Sequence, residues 1–375
     1  MPQSPPDPDR AARLSAEQYD ALRGQVPQSA HGALSIATER FDADSILLVP
    51  VCAPVPMSRL ISCALHYAAL TGADNPAQLP ALLYDATGDP WPLAHYFPVV
   101  AQLPDAGRAE WFAQVRAVAF HPSLDLRLIG ERRQDLTEQL PSSARWLVAG
   151  HIIEVLGQRP DILQRFLLRP RHIRLYTSGA AFAQDGGVAG GDYDAARERV
   201  QLGLGRLFEG FGGRLPGVAP FLHEFGHMLD AFDASAGTMG AGSGLLPGLS
   251  PRDGDLFDAE ARRLFASGKA LEARRYADYR AGAASRDADA PLPIGHPYVF
   301  QNDGEFIAGY LELFLRTPHR FAALNPELFA GFARALRQDP RPAWSEDFAF
   351  YARENEAAYR RGAPLAPAGI TIPDA

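Results

Sequence analysis

Apolar positions along the chain follow two rhythms. Spacings of three and four recur over residues 57–70, 106–120, 142–156, 216–232, 256–280, 303–316 and 326–337. That is the period of helices with a buried face. Runs at 45–55 (SILLVPVCAPV, from Ser45) and 172–176, and the alternation of RVQLGLGRL at 199–207, predict strands. Pro50 and Pro54 break the first run. Pro326 opens the last helix, where its missing N–H is no loss. Between these elements lie a Pro-rich stretch at 80–98, a glycine-rich loop at 184–192, a Gly/Ser/Pro loop at 237–251 and a loop at 281–297. The order suggests a mobile arm (1–30), a helix-rich N-terminal region of unassigned role (31–155), a mixed α+β unit (156–362) and a loose tail (363–375).

Composition narrows the class. With 375 residues, 47% hydrophobic and 21% charged, the chain can bury more than one core and does not read as disordered. A net charge of −8 without a basic block argues against nucleic-acid partners. Cys52 and Cys63 belong to no CxxC pair, so neither a disulfide framework nor a cysteine zinc site is expected. No apolar run reaches the roughly 18 residues of a membrane span. The start lacks the apolar core of a secretory signal. The expectation is a cytoplasmic protein without membrane or nucleic-acid partners. The glycine loop QDGGVAGGD is not GxGxxG between strand and helix, and reads as a flexible turn rather than a phosphate cradle.

One pattern carries chemistry. His223-Glu224-Phe225-Gly226-His227 is an HExxH motif inside a predicted helix. Residues four apart lie one above the other, so both imidazoles reach one metal ion. Glu224 is then placed to act as general base on a water at that metal. Val218, Phe221, Leu222, Phe225, Met228, Leu229 and Phe232 form an apolar stripe, which makes the helix a buried one. Imidazoles and a carboxyl buried there need a partner to offset desolvation; the plain alternative is a pair of satisfied core histidines. A third ligand is required. Asp233 has the spacing of a HExxHxxGxxH motif, but Asp230 stands where that motif turns on glycine. A ligand from a second helix suits better. Glu305 opens the apolar helix GEFIAGYLELFL, although a lone Glu there also suits the helix dipole. Glu312, two turns on, reads as a structural partner.

HEFGHMLD followed by Tyr298, six residues and Glu305-Phe306 resembles the zinc peptidases of the Mlc titration factor A (MtfA) type, an arrangement shared with the anthrax lethal factor catalytic domain. The stretches IRLYTSGAAF, RVQLGLGRLF and FLRTPHRFAALNPELFAGFARALRQDP are similar to that family too. The likeness covers roughly residues 170–340, and the link from His227 to Tyr298 is longer than is usual there. The resemblance implies a zincin-like metallopeptidase domain of α+β class. It implies His223, His227 and Glu305 as ligands of one Zn2+, Glu224 as base, Tyr298 as oxyanion donor and Asp230 as a support behind the ligands. A peptide or protein would be the substrate, and the edge of the 199–207 strand could receive it by β-augmentation. It also leaves open a binding module that sequesters a transcriptional regulator, with zinc mainly structural. HExxH chemistry alone would equally serve a hydrolase of non-peptide amides.

Overall fold

A computed structural model describes residue 97 and residues 103–140, 142–187, 191–208, 219–231, 257–287, 289–343 and 347–361. The arm at 1–30, the elements at 45–55 and 57–70, the loop at 237–251 and the tail at 363–375 lie outside the described residues, as does the stretch at 80–98 except Phe97. In chain order the elements are α1 (Asp105–Ala119), β1 (Leu124–Ile129), α2 (Ser142–Leu156), α3 (Pro160–Phe166), β2 (Arg171–Tyr176), α4 (Gly179–Gln184), β3 (Gly191–Asp194), β4 (Arg199–Gly203) and α5 (Leu204–Phe208). They continue with α6 (Pro220–Asp230), α7 (Ala259–Arg280), α8 (Ala283–Arg286), α9 (Asp303–Arg316), α10 (Pro318–Leu324), α11 (Pro326–Leu336) and α12 (Ala349–Arg361).

The class is α+β: helices around a four-stranded mixed sheet of order β1-β2-β4-β3. The first three strands in that order are parallel, and β3 joins β4 antiparallel. Alternation fixes the register, because a slip of one residue would turn every apolar side chain outward. Leu126, Ile173 and Val200 align in one row, and Leu128, Leu175 and Leu202 in the next. All six are buried. These rows join apolar residues of α1, α2, α6, α7, α9 and α11 in one core. The other face is polar at one end, where Asp125 accepts from Arg127 Nε at 2.9 Å and Arg174 Nη2 at 2.9 Å and lies 2.8 Å from His172 Nδ1, and carries a small apolar cluster of Tyr176, Ala181 and Phe182 at the other. No described helix is long and apolar enough to cross a membrane.

The predicted helices at 142–156 and 303–316 have those limits, and those near 106, 256 and 326 differ by a few residues at their ends. The sheet runs across the expected boundary at 155/156, since β1 pairs with β2. The strand expected over 199–207 stops at Gly203 and becomes helix α5. Its alternation ends at Arg206-Leu207-Phe208, where apolar residues at 204, 207 and 208 fit helical spacing instead. The glycine loop is partly strand, because Gly191 and Asp192 begin β3. That strand occupies one side of β4 and β2 the other, so the strand expected to offer its edge to a peptide has no free edge in the described sheet. The free edge of the described sheet beside the HExxH helix is therefore that of β3.

Candidate metal centre

Helix α6 starts at Pro220, whose ring suits a first helical position. Ala219, at its N-cap, has no side chain to cap with, and its N–H donates to the Tyr351 hydroxyl at 3.1 Å. Phe221, Leu222, Phe225, Met228 and Leu229 are buried in the core, which turns His223 and His227 toward α9. Gly226 lets the two helices approach. A Cβ there would lie 2.8 Å from the Cα of Ala308, closer than carbon atoms pack. The glycine of HEFGH thus brings the start of α9 within reach of both imidazoles.

Glu305 meets them from α9. Asn302 caps that helix by accepting from the Glu305 N–H at 2.9 Å, leaving the Glu305 carboxyl to point across. Its Oε2 lies 3.1 Å from His223 Nε2 and 3.4 Å from His227 Nε2. One donor atom from each of the three residues lies within 4.8 Å of the others. Tetrahedral zinc with ligands near 2.0–2.1 Å needs donors about 3.3 Å apart. The two contacts already have that spacing, so the donor set fits a divalent ion. His223 Nδ1 turns the opposite way and lies 3.7 Å from Glu312 Oε2, so this imidazole is held between two acids of α9.

Charge follows geometry. Burial works against protonation of His223, but hydrogen bonds to Glu305 and Glu312 outweigh it and raise its pKa well above the ordinary value. Burial lowers His227 despite its hydrogen bond to Glu305. Burial would raise Glu305, yet its hydrogen bonds to His223 and His227 hold it far below the usual carboxylate range. Glu224 has no such relief. Burial, with the Glu305, Asp192 and Glu312 charges added, pushes it up to about 8 against the attraction of His223. Gly191 of β3 passes over that carboxyl, and a Cβ at this position would lie 3.3 Å from Glu224 Oε1.

Tyr298 lies in a short 3-10 turn, Pro297–Phe300, capped by His296, whose Nδ1 accepts from the Tyr298 N–H at 3.1 Å. Its hydroxyl donates to Glu305 Oε1 at 3.0 Å. Burial and the Glu305 charge hold its pKa well above that of a free phenol, so it keeps its proton. Asp230 is the last residue of α6. It is fully buried, and neither its oxygens nor His227 Nδ1 has a hydrogen-bond partner among the described residues. Its charged neighbours are Asp303 and Lys269. Asp233 lies outside the described residues. Tyr351, which donates to Glu312 Oε1, escaped the sequence reading; its signal is the spacing of Tyr351, Asn355 and Tyr359, visible only once 349–361 is known to be helix. Compared with protein-family models and with curated protein sequences, the chain matches none.

Proposed function

We propose that the protein is a zinc-dependent peptidase with a zincin-like catalytic unit of the MtfA type, acting on a peptide or protein in the cytoplasm. The observation that carries this reading is the convergence of His223, His227 and Glu305 from two helices onto one point, with Glu224 and Tyr298 beside it. Those three residues would hold the ion. Bound zinc would supply Lewis acidity to the scissile carbonyl and to the attacking water.

The remaining work falls to the chain. The Glu224 carboxyl takes the proton of the attacking water and passes it to the leaving amine nitrogen. Burial and the neighbouring acids raise its pKa to about 8 with no ion bound, and a bound cation would draw it back down, toward the form that accepts a proton near neutral pH. The Tyr298 phenol, which keeps its proton, turns from Glu305 and donates to the oxygen on which charge develops. An extended substrate adds antiparallel or parallel to the outer edge of β3, with Gly191 leaving room above Glu224.

Metal analysis joined to a peptide-library digest tests this. Glu224→Gln should keep zinc and lose cleavage by about 100-fold or more. Absence of zinc-dependent cleavage in the wild type, with capture of a transcriptional regulator instead, would make the chain a binding module. Cleavage confined to small non-peptide amides would make it another kind of hydrolase.

A further inference from the structure

We infer that helix α12 is a brace for the metal centre, with Tyr351 positioning His223 through Glu312. This rests on His223, His227 and Glu305 being metal ligands. Tyr351, Asn355 and Tyr359 stand four residues apart and so share one face of α12. All three are buried, and each hydrogen-bonds a segment that carries a group of the site. The Tyr351 hydroxyl accepts from the Ala219 N–H, at the start of the helix bearing both histidines, and donates to Glu312 Oε1. The other oxygen of Glu312 faces His223 Nδ1 at 3.7 Å, while His223 Nε2 faces Glu305. Asn355 Nδ2 donates to the Ile294 carbonyl at 3.0 Å, and the Tyr359 hydroxyl to the Gly295 carbonyl at 2.6 Å. Three residues later comes Tyr298.

The physical reason is orientation. A ligand imidazole is fixed by what meets its second nitrogen, and that outer partner sets its angle and basicity. Glu312 fills this place for His223, and a carboxyl turns about its own side-chain bonds unless its other oxygen is held. Tyr351 holds it. The same hydroxyl also ties that carboxyl to the first turn of α6, so the ligand and the group orienting it move together. The last link, from Glu312 to His223 at 3.7 Å, is electrostatic, so its strength depends on that carboxyl being held in place.

The test is zinc affinity of the full chain, measured by competition with a chelator. Tyr351→Phe should weaken binding about 10-fold or more and shift the visible absorption of the cobalt-loaded protein. Tyr176→Phe is the control. Tyr176 is also a buried phenol, but its hydroxyl donates to Asp185 Oδ2 at 2.6 Å and lies 3.2 Å from Gln201 Oε1. It should leave affinity within about 2-fold and the spectrum unchanged, because its partners touch no ligand. If Tyr351→Phe does not fold, Glu312→Gln serves, with the same direction expected. Wild-type affinity in Tyr351→Phe, or in Glu312→Gln where that variant stands in for it, or an equal loss in the Tyr176→Phe control, overturns the brace while leaving the metal centre standing. A wild type that binds no zinc removes both.

Discussion

Helix α9 carries two buried polar clusters, and they are built on opposite principles. At its C-terminal end, Arg316 donates to both oxygens of Glu154 on α2, at 2.7 and 2.8 Å, with His151 Nδ1 at 3.2 Å from the same carboxylate. Burial alone would raise Glu154, but the Arg316 charge and the hydrogen bonds from His151 and Arg316 pull it down to about 2. That cluster is closed, a fork-to-fork ion pair with its cation built in. In the second, Glu305 from the first turn of α9, Glu312 four residues before Arg316 and Glu224 of α6 surround two imidazoles, and Glu224 is driven up to about 8. Side chains alone leave this cluster rich in acid. Buried carboxyls are tolerated when a cation accompanies them; Arg316 supplies it in the first cluster, whereas the second holds the three residues that could bind a metal ion.

Breaking the closed cluster should have the largest effect on stability. Arg316→Ala takes the charged partner from Glu154 in the core and leaves it with His151 beside it, and removing one partner of such a pair costs about 3–5 kcal/mol. Urea unfolding reads this directly, and a loss below about 1 kcal/mol would show that the pair is not structurally closed. Zinc should not rescue it, because the defect lies away from the ligands.

A smaller effect of opposite sign is expected at Asp230, a third environment on the neighbouring helix. Its carboxyl, ordinarily at 3.8, is raised to about 7 by burial and then by Asp303, with Lys269 opposing. The unfolded chain ionises first, so folding loses stability as pH rises from about 4 to about 7 and no further above that. The shift corresponds to on the order of 4 kcal/mol. Asp230→Asn removes it but leaves an unpaired amide, for a net gain of about 1–2 kcal/mol at pH 8. Below about pH 4 the gain should vanish. Melting temperatures across that range check the sign. Zinc affinity in the same variant tests whether Asp230 supports the ligands. A residue without a hydrogen bond to His227 leaves affinity unchanged, whereas a support behind that ligand would weaken it about 10-fold or more on removal.

The contrast also explains what was legible beforehand. The histidines and Glu224 stand in one helical motif, and spacing alone puts them on one face. Glu305 required a second helix, and its apolar pattern with Asn302 before it marks that helix well. The meeting of the two depends on Gly226 against Ala308, a contact between helices far apart in sequence that no local pattern encodes. For the same reason the Glu154–Arg316 pair, 162 residues apart, was invisible. Strand β1, LDLRLI, is short and flanked by helical periodicity, and the end of β4 was misread because alternation and helical spacing overlap at Leu204. Helix α12 is charged and weakly apolar, so its polar stripe gains meaning only against the segments it touches.

The most direct measurement is the zinc content of the purified chain, by elemental mass spectrometry after dialysis against metal-free buffer, for the wild type and Glu305→Gln side by side. The convergence of His223, His227 and Glu305 predicts a single equivalent in the wild type and its loss in the variant. A wild type that takes up no zinc even on titration, or a variant that retains the full equivalent, contradicts it.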